Sequence, residues 1–358
     1  MSDICSISFA LDPTNVPTFL LDWEVTKLCN LDCTYCIAGH DNSTAHPPLA
    51  DCLKSIDFMY EYVDQYMRHI KQSQRKVVLN VYGGESLFHP DIVEILEQVR
   101  QRYEPYRNSW FLTVTCTTNG IIGNNLFKRI VPLIDNFSMS YHAENLPKQR
   151  AMYFDNLLEL QQQRKPFTAI VMMHNNEELW PNSQEAVEFC KEHKMKYVVK
   201  PVDNVGDNWK YTNSQLDYMK IFWMTKEPTT DKSMVEQGRS CCGGRKLSTN
   251  GNLKESIKFV PKQGFKGWSC SVNWYFLFVD QQQGLVYTNK DCMTSTTGRV
   301  EPLGTLQASD KIITTLKEQF ATEMPVITCV KDVCRCGFCA PKAESLTDFR
   351  RLMTRYTI

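Results

Sequence analysis

The residues best equipped for chemistry stand together in Cys29-Asn30-Leu31-Asp32-Cys33-Thr34-Tyr35-Cys36. Soft thiolates this close in sequence select an iron-sulfur cluster, zinc or copper(I), and a cubane normally takes four cysteines. The loop supplies three, so a [4Fe-4S] cluster held here keeps one iron open, and an open metal position can bind a substrate or cosubstrate. A chelating amino-acid group fits that iron. The residues alone also admit a zinc loop with His40 as local fourth ligand, or a redox pair formed by Cys33 and Cys36.

Further polar groups recur downstream. In Gly83-Gly84-Glu85 two glycines let backbone come close to a ligand, and the carboxylate can accept charge-assisted hydrogen bonds from an ammonium group; an exposed turn is the plainer alternative. Thr117-Thr118-Asn119-Gly120 reads as a site segment or as an ordinary Asn-Gly turn. Ser138, Ser140 and His142 share one parity, hence one face of a strand. His142 and His174 can face a substrate or be structural. Cys52 and Cys190 fall in apolar helical stripes and read as core thiols, Cys116 at a strand end also reads as core, and Cys5 as incidental.

The last third holds Cys241, Cys242, Cys270, Cys292, Cys329, Cys334, Cys336 and Cys339. The final four are crowded beyond what core packing explains, and Cys270 and Cys292 flank a hairpin that can carry them toward that group. One or two metal sites follow, with structural zinc as the alternative to iron-sulfur. Fifteen cysteines in one chain with no visible export signal favour metal ligation over disulfides.

The elements that must position these groups alternate. Short apolar, β-branched runs at 19–26, 77–82, 111–115, 137–141, 168–173 and 197–200 alternate with helical patterns, which predicts six βα units around a parallel sheet. Leu53, Ile56, Met59, Tyr60, Val63 and Met67 recur at three- and four-residue steps, as do Ile92, Ile95, Leu96 and Val99. Helix starts are expected at Pro90-Asp91 and at Asn182-Ser183, and another helix over 214–224. Strands at 274–280 and 285–288 flank Gln281-Gln282-Gln283-Gly284, a hairpin signal. Each cysteine or glycine motif falls at the carboxyl end of a strand, where barrel folds place chemistry.

The cysteine spacing, with Tyr35 before the last thiol, resembles the signature of the radical SAM superfamily. The resemblance implies that S-adenosylmethionine chelates the open iron through its methionine amino and carboxylate groups. Gly83, Gly84 and Glu85 then correspond to the stretch holding the methionine ammonium, with Ser86 where proline is usual. Asn119 belongs to the segment lining the site, Ser140 is the candidate ribose contact, and Tyr35 stands among the cofactor-contacting residues. Reduction of the sulfonium by one electron would break its carbon-sulfur bond, and the resulting 5'-deoxyadenosyl radical would take a hydrogen atom from the substrate.

The terminal cysteines resemble the SPASM or twitch extension, which binds auxiliary [4Fe-4S] clusters. That pattern has a cysteine five residues after the hairpin glycine, whereas Asn289 stands there and Cys292 comes later. The expected auxiliary ligands are Cys270, Cys292, Cys329, Cys334, Cys336 and Cys339. The fold class is therefore α/β, a partial (βα)6 TIM-like barrel with a smaller cysteine-rich α+β domain. The expected division is an amino-terminal segment 1–17, barrel 18–225, auxiliary-cluster domain 226–342 and a carboxyl-terminal helix 343–358.

Lys+Arg and Asp+Glu both number 40. A neutral chain has no global pull toward nucleic acid or anionic membrane, although a local contact to nucleic acid stays open. With neither a targeting signal nor a long apolar run, a cytoplasmic location is expected. Electrons would come from a one-electron reductant such as flavodoxin or ferredoxin. The SPASM-like extension points to a peptide or protein side chain as substrate; about 18 residues before the first strand are few for a leader-binding domain, which disfavours a ribosomal-peptide role. A nucleoside, a nucleic-acid base or another small molecule is the alternative, and a non-catalytic iron-sulfur or zinc protein is the rival of another class.

Overall fold

The computed structural model describes residues 7–8, 18–36, 41–71, 75–202, 211–224, 266–288, 301–323, 325–329 and 342–354. Its centre is a nine-stranded sheet. Six strands lie side by side in sequence order: β2 (Phe19–Thr26), β3 (Lys76–Gly83), β4 (Phe111–Thr118), β5 (Asn136–Tyr141), β6 (Phe167–Met173) and β7 (Tyr197–Pro201). All adjacent pairs among them are parallel. A parallel pair needs a crossover, and the helices α1 (Leu49–Met67), α2 (Ile92–Tyr103), α3 (Asn124–Ile130), α4 (Pro147–Gln162) and α5 (Trp180–Glu192) supply them. The expected partial (βα)6 barrel is present, and its sheet is not closed among the described residues.

Alternation explains the layering. Phe19, Leu21, Trp23 and Val25 of β2 are fully buried, and Phe19 packs against Tyr62 and Tyr66 of α1. The opposite parity faces the barrel interior and is polar midway. Asn80 donates to Asp22 (2.8 Å), while the Thr115 and Thr117 hydroxyls donate to Asn80 Oδ1 (both 3.3 Å). Cys52, Cys116 and Cys190 are buried on the apolar side, as core thiols.

Several boundaries differ from expectation by a few residues, two of them for a local reason. Helix α5 begins at Trp180, because Pro181 fits the first helical turn, where no backbone N–H is needed. Trp274 lies in a short 3-10 turn rather than a strand, its indole N–H donating to Pro325 O at 2.7 Å. Helix α6 spans Asn213–Met224, one residue longer than read.

Beyond residue 265 the hairpin extends the barrel sheet. Strand β9 (Phe276–Asp280) pairs parallel with β2, β10 (Leu285–Tyr287) pairs antiparallel with β9, and β11 (Gly304–Thr305) closes that flank. Helix α7 (Ser309–Thr322) packs beside α1. A second sheet of two-residue strands has the order β1 (Ile7–Ser8), β13 (Lys342–Ala343), β8 (Ser269–Cys270), β12 (Ile327–Thr328). Helix α8 (Leu346–Met353) follows it. No helix among the described residues is long and apolar enough to cross a membrane.

Candidate functional site

The pairing of β2 with β3 slips between Glu24 and Thr26, a bulge immediately before the cysteine loop. Bulges re-aim the chain beside functional sites, and here the chain turns over the carboxyl end of the sheet. The loop is tied at several points. Cys29 N–H donates to Asn42 Oδ1 (2.9 Å), Asp41 N–H to Lys27 O (3.0 Å), and Cys36 N–H turns back to Cys33 O (3.1 Å). Lys27 pairs with Asp280 at 2.9 Å, joining the loop's base to the hairpin.

Gly83 and Gly84 dock the second motif onto this loop. Gly84 N–H donates to Thr26 O and Glu85 N–H to Leu28 O, both at 2.8 Å. A Cβ on Gly84 would sit 2.5 Å from the Leu28 and Lys27 carbonyl oxygens, and one on Gly83 would sit 2.2 Å from Thr26 O. These are main-chain atoms that cannot swing aside. The glycines admit the cysteine loop's own backbone, not only a ligand.

Glu85, expected to hold the methionine ammonium, also has partners within the protein. Its carboxylate is buried and accepts Leu87 N–H (3.0 Å), the Thr118 hydroxyl (2.7 Å) and Asn119 N–H (2.6 Å). Burial pushes its pKa up, and those three donors pull it back. These donors join the turn after β3 to the segment after β4, and two of the residues that supply them, Thr118 and Asn119, line the cavity beside it.

That cavity, about 130 Å³, is lined by Cys29, Cys33 and Cys36 together with Tyr35, Gly83, Gly84, Asn119, Ser140 and His142. Residues from four strand ends, scattered over more than 100 positions, therefore meet on one surface. Ser140 and His142 reach it through the shared parity of β5. Two larger clefts, of about 390 and 460 Å³, lie elsewhere and contain none of these residues. The smaller one holds the thiols.

The donor set fits an iron-sulfur cluster. Asn119 Nδ2 lies 3.9 Å from Cys29 Sγ and donates to Asn30 Oδ1 at 2.7 Å, and Asn30 in turn donates to Ile121 O at 2.7 Å. Amide donors near sulfur are a lever on cluster potential. Burial pushes the Cys29 thiol up to about 11 and the Cys33 thiol to about 12, the latter with help from the Glu144 carboxylate. Such thiols are poor redox nucleophiles at neutral pH, whereas a coordinated metal removes the proton outright. No group of three His, Cys, Asp or Glu side chains among the described residues is gathered tightly enough for a single ion. A cubane asks for less, since each thiolate takes a different iron.

Two residues that sequence reading passed over tie the loop to its neighbours, Glu144 to the end of β5 and Asn30 to the segment after β4. Glu144 accepts Thr34 N–H at 2.9 Å and is bonded to the Thr34 hydroxyl. Asn30 bridges the loop to Asn119 and Ile121. The parity that singled out Ser138, Ser140 and His142 continues to position 144, which was the available signal. Tyr35 bonds His142 Nδ1 at 2.7 Å and packs edge-on to His174. Burial pushes the Tyr35 phenol well above its usual range and lowers His142 to about 4.

The expected auxiliary ligands divide. Cys270 and Cys329 are buried, with Cys270 on β8 opposite Ile327 of β12 and Cys329 N–H donating to Trp268 O at 2.8 Å. Cys292, Cys334, Cys336 and Cys339 lie outside the described residues, as do His40, Cys5, Cys241 and Cys242.

Residues 23–199 match the family model described as "Radical SAM superfamily". A segment of 117 residues, 33% of the chain, is 33% identical to "Molybdenum cofactor biosynthesis protein 1" of Bos taurus, and the match spans only 16% of that relative's length. Among solved structures, "Native anSMEcpe with bound AdoMet and Kp18Cys peptide" is matched over 94% of this chain and 96% of that one, at 14% identity and TM-score 0.50. "Native anSMEcpe with bound AdoMet" is matched over 83% and 80%, at 16% identity and TM-score 0.50. At these identities the structures show a common fold.

Proposed function

Because this chain is an enzyme of the radical SAM superfamily, we propose that Cys29, Cys33 and Cys36 hold a [4Fe-4S] cluster whose open iron takes S-adenosylmethionine. The single observation that carries this is the cavity on which the three cysteines meet Gly83, Gly84, Asn119, Ser140 and His142. When bound, the two cofactors supply a 5'-deoxyadenosyl radical that removes a hydrogen atom from the substrate. The chain's own residues bind and aim. Asn119 offers its amide to the Cys29 sulfur, the backbone of Gly83 and Gly84 lines the end suited to the methionine moiety, and Ser140 and Tyr35 face the space for the nucleoside. Glu85 acts by holding the Cys29, Gly83 and Asn119 loops in one arrangement.

The substrate we favour is a peptide or protein side chain. What supports this is the near full-length likeness to anSMEcpe, which is described with a bound peptide. The match to the molybdenum cofactor protein supports a second reading, a small molecule such as a nucleoside. Cys270 and Cys329, with Cys292, Cys334, Cys336 and Cys339, are the proposed ligands of one or two auxiliary clusters, and a flavodoxin or ferredoxin the proposed electron donor.

Anaerobically reconstituted, reduced protein given S-adenosylmethionine should release 5'-deoxyadenosine. Cluster-loaded protein that releases none would favour a non-catalytic iron-sulfur protein. Adding deuterated peptide or deuterated nucleoside separates the substrate readings by which label appears in 5'-deoxyadenosine.

A further inference from the structure

The two residues between Cys33 and Cys36 are both gripped from the far side of the cavity. Glu144 stands just beyond the end of β5 and meets Thr34 twice, accepting its backbone N–H at 2.9 Å and bonding its hydroxyl. His174, just beyond β6, reaches the same carboxylate with Nε2 at 3.3 Å. Its tautomer follows from its other contact: Nδ1 accepts Asn176 N–H at 3.0 Å, so the neutral ring carries its proton on Nε2 and donates to Glu144. The His174 backbone is anchored as well, its N–H donating to the Ser183 hydroxyl (3.3 Å), which itself donates to Met172 O (3.1 Å). Tyr35 meanwhile stacks on His142 and bonds its Nδ1.

A short loop carrying three thiolates would otherwise keep considerable freedom between its second and third cysteines. Here Thr34 and Tyr35 are fixed to two neighbouring strand ends, β5 and β6, each anchored in the parallel sheet. The Glu144 carboxylate is hydrogen-bonded to Thr34, the residue that follows Cys33. A fixed negative charge beside the thiolates also opposes addition of an electron to whatever they bind, and net charge and hydrogen bonding are recognised levers on cluster potential.

We propose that Glu144, oriented by His174, is a positioning residue for the cysteine loop: its carboxylate clamps the Cys33–Cys36 arc, and its charge keeps the cluster held there harder to reduce. The inference rests on the reading that the loop holds the cluster. Glu144→Gln removes the charge and leaves one oxygen to serve donors that now use two. Glu144→Asp keeps the charge on a shorter stem.

The test compares wild type, both variants and the Cys29/Cys33/Cys36→Ala triple variant, all reconstituted as full chains. The triple variant's signal is subtracted in an EPR-monitored redox titration, isolating the loop's cluster from any other. In Glu144→Gln reduction should become at least tenfold easier, an upward shift of about 59 mV for one electron. Hydrogen exchange at the Thr34 amide in the metal-free protein should accelerate at least tenfold. Glu144→Asp should leave the potential closer to wild type while its Thr34 amide still exchanges faster, separating charge from clamp. Glu144→Gln that fails to retain the cluster, beside Glu144→Asp that retains it, would equally support the clamp. An unchanged potential together with unchanged Thr34 exchange overturns the proposal. A wild-type signal indistinguishable from the triple variant's would instead overturn the underlying assignment of the loop.

Discussion

The two cysteine-bearing regions of this chain sit at opposite ends of one parallel strand pair. Cys29, Cys33 and Cys36 follow the carboxyl end of β2, whereas Cys270 precedes the amino end of β9, which runs parallel to β2 with Phe276 beside Leu20. The paired strands alone span on the order of 20 Å at about 3.3 Å per residue. The first set opens on a cavity with Cys36 exposed; Cys270 and Cys329 are buried in the small antiparallel sheet. The thiols of the first set thus border open space, and the two described thiols of the second are enclosed.

The largest effect should come from exchanging thiols between these regions. Replacing Cys29, Cys33 and Cys36 by alanine should abolish 5'-deoxyadenosine formation, whereas Cys270→Ser should leave iron in the amino-terminal loop, followed by iron and sulfide analysis with product chromatography. Equal loss from both variants would mean that the regions act as one site.

A smaller effect separates the regions by their glycines. Gly84→Ala puts a methyl against two main-chain oxygens at 2.5 Å, and overpacking of this kind costs about 3 kcal/mol. Gly267 has φ +86° but nothing within 4 Å of an added Cβ, so Gly267→Ala should cost about 1–2 kcal/mol, from backbone strain alone. Thermal melting should rank them in that order, and only Gly84→Ala should weaken S-adenosylmethionine binding.

The smallest effect is a pH dependence confined to the barrel, since no histidine follows His193. Burial lowers His142 to about 4, against about 6.5 in an unfolded chain. A histidine held neutral by the fold contributes stability that is intact above pH 6.5 and is lost as pH falls toward 4. His142→Gln, which keeps an acceptor for the Tyr35 hydroxyl, should flatten the acid limb of the melting profile across that window. Substitutions around Cys270 should leave that limb unchanged.

Much of this was legible in the chain because it follows from period and spacing. Apolar alternation located all six parallel strands, β2 with both of its ends, and the parity of Ser138, Ser140 and His142 carried Ser140 and His142 to the cavity wall. Glu85 was harder to foresee. A carboxylate beside two glycines looks like a ligand partner until three donors converge on it, and Leu87, Thr118 and Asn119 come from two separate turns. For Glu144 the parity of β5 marked the position, but not its partner Thr34, which lies 110 residues away. Contacts that join loops across a sheet leave no local pattern.

Among the described residues the barrel sheet is unjoined between β7 and β11, which has one more consequence. The loops around the cavity are braced at the carboxyl ends of β2 to β6 and, through Lys27 and Asp280, at the hairpin. A side chain changed along β7 or β11 therefore leaves those braces in place.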